Sequence, residues 1–198
     1  SSLARVPLPP SVPTRAELLA AADRRVRDVI APDLAVLFCG INPGLHTAYT
    51  GFHFAGPGNR FWPSLHAGGF TERRLAPSEL GLLPSYGLGV TNVVARATAT
   101  AAELAPEEFV AGGRALRQKV ARHRPRILAV LGMGAYRTAF DRPRATLGEQ
   151  PDDAIGLTRV WVLPNPSGLN ANYSREALGA LFRALREAAG LPDRAASR

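Results

Sequence analysis

Amides, rather than acids or thiols, occupy the places in this sequence where chemistry could happen. Two turns stand out. Gly40-Ile41-Asn42-Pro43-Gly44 follows the apolar run 34–39, and Pro164-Asn165-Pro166-Ser167-Gly168-Leu169-Asn170 follows the run 160–163. Asparagine before proline is pushed out of the helical region, and the glycine that follows permits a sharp reversal. Two such turns at the carboxyl ends of strands can converge on one crevice, where open α/β sheets bind their ligands. Near them lie a further amide (Asn172), hydroxyls (Thr47, Thr50, Ser167) and aromatics (Tyr49, Phe52, Phe54, Trp62). Amides can hydrogen-bond the edge of a nucleobase, and aromatics can stack on its face. An amide is neither a strong base nor a nucleophile. It can still orient water toward an electrophile that is cationic in its transition state, as in glycosidic cleavage. Such a crevice suits a reaction in which positioning does most of the work.

Other chemistries find less support. Gly132-Met133-Gly134 follows an apolar run, as a dinucleotide-binding loop would, but a third glycine is missing. No acidic residue stands at a strand end about twenty positions on, as that fingerprint requires. A tight strand-to-helix turn is the simpler reading, with a nucleotide-cofactor enzyme as an alternative. Neither a Walker A loop nor a Gly-x-Ser-x-Gly elbow occurs. Cys39 alone cannot build a disulfide framework or a cysteine-ligated iron–sulfur cluster. The histidines His46, His53, His66 and His123 lack metal-ligand spacing, so no metal and no cofactor is expected.

The net charge of +8 and a pI near 10.9 point to a polyanionic partner. Every cation except Lys119 is arginine, which a GC-rich coding bias explains in part. Arginine nonetheless binds phosphate bidentately and keeps its charge. No apolar run approaches a membrane span and no signal-peptide core is present, so a cytoplasmic protein is expected.

These residues need strands and helices to hold them. The chain of 198 residues suits one domain, expected over 14–190, between a disordered or extended segment at 1–13 and a frayed tail at 191–198. Thr14 is placed to cap a helix running to about Ile30, with Leu18, Leu19, Ala22, Val26 and Ile30 on one face. Buried strands are expected at 34–39, 87–94, 126–131 and 159–163. Helices are expected at 59–67, 77–83, 106–123, 135–140 and from Ser174 onward, leaving 44–60 and 141–158 irregular. Near-continuous Val/Leu strands alternating with helices imply an α/β fold with a mostly parallel sheet covered on both faces.

Four segments together resemble a known family. They are Gly40-Ile41-Asn42-Pro43-Gly44, Thr50-Gly51-Phe52-His53-Phe54-Ala55, Asn59-Arg60-Phe61-Trp62 and Leu163-Pro164-Asn165-Pro166-Ser167-Gly168-Leu169. They are similar, over roughly 27–188, to bacterial mismatch-specific uracil-DNA glycosylases, relatives of the thymine-DNA glycosylases. The resemblance implies a three-layer α/β/α sandwich with a short, mostly parallel central sheet. It implies removal of uracil, or of thymine or modified pyrimidines, mispaired with guanine in double-stranded DNA. Such an enzyme flips the base out and directs water at the sugar; it is expected to act as a bacterial monomer. By the same resemblance Asn42 positions the water and Phe54 stacks on the flipped base. Backbone near Ile41 and Phe54 reads the base edge, and Thr47 lies near its C5 face. Asn165 stands in the base pocket where the most active relatives carry histidine. Gly168, Leu169 and Asn170 form a wedge, with Leu169 filling the vacated space. Extruding a base costs a few kcal/mol, which an inserted apolar side chain partly restores.

The pattern departs from the family at Ala95, where a close relative carries aspartate, and at Ala171, where a relative carries arginine. The first departure marks a possible lost carboxylate. It keeps open a second reading, a non-catalytic or weakly active binder of damaged or abasic DNA on the same fold. Lys119, the lone lysine and a candidate amine for Schiff-base chemistry, is far from the motifs in the sequence, so a monofunctional enzyme is expected.

Overall fold

The apolar runs of the sequence form β1 (Val36–Gly40), β2 (Leu88–Asn92), β3 (Ile127–Leu131) and β5 (Arg159–Leu163), joined by a two-residue β4 (Gly148–Glu149). The source is a computed structural model in which residues 12–196 are described. Most of the segment expected to be disordered, 1–11, and the end of the tail, 197–198, lie outside the described residues. The strand order is β2-β1-β3-β5-β4. The first four run parallel, and β4 is antiparallel to β5.

All five residues of β1 and of β3 are buried, as a parallel sheet covered on both faces requires. On one face α3 (Phe61–Ala67) and α6 (Arg175–Ala188) pack Phe61, Leu178 and Phe182 against Phe38, Ala129 and Leu131. On the other, α4 (Pro106–His123) and α5 (Met133–Ala139) pack Leu116, Val120 and Tyr136 against Leu37, Leu128 and Val130. Successive strand residues thus serve opposite layers, the period of two that a strand imposes. The result is the expected three-layer α/β/α sandwich. Local signals set the helix ends. Pro106, Glu107 and Glu108 open α4 and Arg122 and His123 close it. The Ser174 hydroxyl accepts a 3.0 Å hydrogen bond from the Ala177 amide at the start of α6.

Several expectations need correction. The helix expected from Thr14 to about Ile30 ends early, as α1 (Arg15–Ala20). Val29 instead exchanges backbone hydrogen bonds of 2.9 and 2.8 Å with Val90, covering the free edge of β2. A helix through Val29 would forfeit both. The stretch 44–60 contains α2 (Leu45–Thr50), which stops at Gly51 with φ of 78°. The 77–83 helix is a 3₁₀ segment reaching Tyr86, and 141–158 carries β4. The tail is anchored as far as Arg194, whose amide donates to the Gly69 carbonyl at 2.8 Å and whose guanidinium lies over the Tyr86 ring. No helix among the described residues is long and apolar enough to cross a membrane.

Candidate active site

The paired ends of β1 and β2, Gly40 and Asn92, and the residues following β5 open onto a cleft of about 570 Å³. Ile41, Asn42, Thr47, Phe54, Asn165, Gly168 and Leu169 all line it. Both Asn-Pro turns therefore meet at one place, although some 120 residues separate them in the sequence. No aspartate or glutamate lines this cleft among the described residues.

Asn42 is fixed by its amide nitrogen. Nδ2 donates to the Arg96 carbonyl at 2.9 Å and to Thr98 Oγ1 at 2.8 Å, with a longer approach to the Pro43 carbonyl at 3.3 Å. A side-chain amide has two N–H donors, so both are used. The Thr98 hydroxyl passes its own proton to the Thr100 carbonyl at 2.8 Å, which leaves it an acceptor toward Asn42. This orientation leaves Oδ1 without a donor among the described residues, free to accept from a water in the cleft. The loop behind it is braced in turn. The Arg96 guanidinium contacts Glu108 at 2.8 and 3.0 Å. That contact, helped by the Ala105 amide, holds the Glu108 carboxyl down at about 2.

Phe54 presents its ring to the cleft from an unusual backbone. Its φ is +55°, a region that bulky side chains rarely adopt. Its ring stacks on Phe61 at a centroid distance of 4.1 Å and 26° between planes. Strain of this kind persists where the surroundings over-determine it, commonly at binding sites. Gly40 makes the arrangement possible. A Cβ there would stand 2.6 Å from Asn92 Oδ1 and 3.4 Å from the Phe54 ring.

Asn92 is the residue that sequence reasoning missed. It lines the cleft from the end of β2, and its side chain makes no hydrogen bond among the described residues. It thus offers a free amide beside the Phe54 ring. The signal was an asparagine closing an apolar strand, legible only once that strand is registered against Gly40. His53 also lines the cleft and is buried. Its Nε2 donates to the Arg27 carbonyl at 2.7 Å, and burial pulls its pKa below the usual imidazole value, so it is neutral near pH 7. Arg15 and Leu18 of α1 complete one wall.

The second turn builds its own scaffold. Asn165 Oδ1 accepts from the Ser167 amide at 3.1 Å, and the Asn165 carbonyl accepts from Asn170 Nδ2 at 3.0 Å. The Asn170 amide donates to the Ser167 carbonyl at 3.0 Å. Asn170 therefore supports the turn from outside the cleft lining. At the tip Leu169 is 81% exposed. Gly168 lets the turn approach its neighbour, since a Cβ there would lie 2.9 Å from the Gly58 carbonyl.

Other candidates fall elsewhere. Ala95 is exposed and outside the cleft lining, directly after Val94, which extends the strand wall through its 2.9 Å bond to the Ile41 carbonyl. Trp62 is a core residue whose indole donates to the His53 carbonyl at 3.1 Å. Tyr49 packs beside Ala48 and Ala97, and the Thr50 hydroxyl bonds the His46 carbonyl within α2. Phe52 and Asn172 are exposed and outside the lining. Lys119 Nζ is engaged by Asp28 at 2.6 Å and Thr91 at 2.9 Å, away from the cleft. Burial pushes the Cys39 thiol far up, which keeps it inert. Gly132, with φ of 147°, makes the tight strand-to-helix turn and lies against Ile41.

The α/β/α sandwich converges amides and a stacked aromatic from its strand-end loops on one cleft, an arrangement suited to chemistry by positioning. Residues 27–188 match the uracil DNA glycosylase superfamily, and the chain belongs to it. It is also similar to a solution NMR structure of a candidate uracil DNA glycosylase from Methanosarcina acetivorans. The TM-score is 0.54 at 21% identity, over 82% of this chain and 98% of that one. At that identity the likeness is one of fold. Family membership makes the chain a DNA glycosylase in general terms, with DNA as its partner.

Proposed function

We propose that this protein hydrolyses the N-glycosidic bond of uracil mispaired with guanine in double-stranded DNA, as a monofunctional, monomeric enzyme of the mismatch-specific branch in the bacterial cytoplasm. The observation that carries the reading is Asn42, with both amide N–H groups tied to protein and Oδ1 left free. The uracil swings out of the duplex and stacks on Phe54. Backbone near Ile41 and Phe54 meets its polar edge, together with the free amide of Asn92. Thr47, buried in the wall, lies beside C5 and sets how well a methyl group is accepted.

Water held by Asn42 Oδ1 then attacks C1′ of the sugar. The new O–C1′ bond forms as the C1′–N1 bond breaks, its electron pair leaves on uracil, and the water proton passes to solvent. The oxocarbenium-like sugar supplies the electrophile, so a carboxylate base is not required. Asn165 in place of an imidazole withholds one electrophilic contact from the leaving base and keeps the rate modest. The engagement of Lys119 with Asp28 supports hydrolysis without lyase chemistry.

The test is single-turnover excision from duplexes with uracil opposite guanine, uracil opposite adenine, and from single strands, each followed by alkali. Fastest release opposite guanine, with strand scission only after alkali, is the expected result. Scission before alkali would remove the monofunctional assignment. A second reading, a damage-binding protein with little catalysis, is favoured by a cleft wall without a carboxylate among the described residues. Tight duplex binding with no alkali-labile product would establish that reading instead.

A further inference from the structure

Arg60 lies beneath the second turn, and its side chain is committed there. Nη1 donates to the Tyr173 carbonyl at 2.5 Å and Nη2 to the Asn170 carbonyl at 2.7 Å. The Arg60 backbone amide adds a third bond, to the Pro166 carbonyl at 2.9 Å. The three acceptors bracket the exposed Leu169. Among the described residues the guanidinium contacts carbonyls rather than a carboxylate, and its buried Nε has no hydrogen-bond partner. A half-buried cation compensated only by peptide dipoles is a costly arrangement for structure alone.

We propose that Arg60 is a positioning residue for base extrusion: its planar fork fixes the 165–173 loop so that Leu169 stands out ready to enter the duplex. A flat fork with donors at fixed angles can hold two carbonyls at once, which a single ammonium cannot. Pre-ordering the loop removes the entropy cost of ordering it when DNA binds. This inference rests on the reading of 168–170 as a wedge. It predicts that Arg60 acts through Leu169 rather than through the chemistry at Asn42.

The experiment is a double-mutant cycle on uracil opposite guanine, in single turnover, with Arg60→Ala, Leu169→Ala and the pair. Arg60→Ala is expected to slow excision about fivefold to tenfold, no more than the loss of Leu169 itself, because it acts through that side chain. In the Leu169→Ala background the same change is expected to cost less than about twofold, because the group it positions is gone. Arg60→Lys keeps the charge without the fork and is expected to follow Arg60→Ala; it also carries the test if the alanine variant does not fold. Amide hydrogen exchange is expected to speed up at 168–173 in either Arg60 variant, but not along β1 or at Asn42. An equal loss in both backgrounds, full restoration by lysine, or unchanged exchange at 168–173 would overturn the proposal. Should the unmodified protein excise no uracil from any substrate, the functional reading falls, and the exchange experiment alone decides the role of Arg60.

Discussion

Asn42 and Asn165 each precede a proline where a buried strand ends, yet the two turns are held in different ways. Asn42 donates to carbonyl and hydroxyl groups 54 and 56 residues further along the chain. Asn165 uses its side-chain oxygen within its own turn, on Ser167. The first turn is locked by tertiary contacts that a water molecule can be aimed from. The second is locally folded and tied down at its base, and its tip, Leu169, is exposed to solvent. The contrast separates an amide held by distant parts of the chain from a side chain that projects from a locally folded turn.

The comparison can be broken most severely at Asn42. Asn42→Ala is expected to lower single-turnover excision by about a hundred- to a thousandfold, the scale seen when a positioned amide is removed. Duplex affinity, which rests on phosphate contacts, should change little in the same variant. Retained excision would show that the water is held elsewhere. A smaller loss, about tenfold, is expected for Leu169→Ala with uracil opposite guanine, and its sign of a mechanical role is a weaker effect on uracil in an unpaired bulge. Equal losses on the two substrates would assign Leu169 to chemistry instead.

Thr98→Val sharpens the comparison further. It removes one acceptor of Asn42 Nδ2 and keeps the shape, so excision should fall about three- to tenfold, a lost hydrogen bond's worth. Loop exchange at 168–173 should be unaffected. A pH effect distinguishes the halves as well. The lowered pKa of His53 means the unfolded chain binds its proton first as pH falls below about 6.5. Stability contributed by neutral His53 is thus complete above that value and declines on acidification toward the folded pKa. Thermal midpoints measured from pH 7.5 to 5 should fall in the parent protein and fall less in His53→Gln. The least effect is expected from Ala95→Asp. Ala95 is exposed and outside the cleft lining, so a carboxylate there should raise excision by no more than about threefold, as exposed charges do. A larger gain would mean that the carboxylate reaches the water.

The strands and the long helices were legible because each carries a strong pattern: unbroken apolar runs at 127–131 and 160–163, and charged caps on 106–123. The helix to Ile30 failed because Val26 and Ile30 keep helical spacing, while Val29 is claimed by the sheet edge, a contact 61 residues away that no local pattern records. β4, at two residues, is too short to leave a period. The candidate site was legible where motifs sit at strand ends, as with Asn42 and Asn165. Asn92 needed the β1–β2 register. Arg60 was visible as part of a motif, but its two carbonyl partners lie 110 and 113 residues further on.

One feature bears on how the protein should be handled. The segment that matches the superfamily begins at residue 27, yet Arg15 and Leu18 line the cleft, and Arg24 reaches from the same segment to the Tyr49 carbonyl at 3.3 Å. A shortened protein cut at the family boundary would keep every strand and lose one side of its substrate chamber. Measurements on such a fragment would describe a wider, less cationic opening than the one this chain builds.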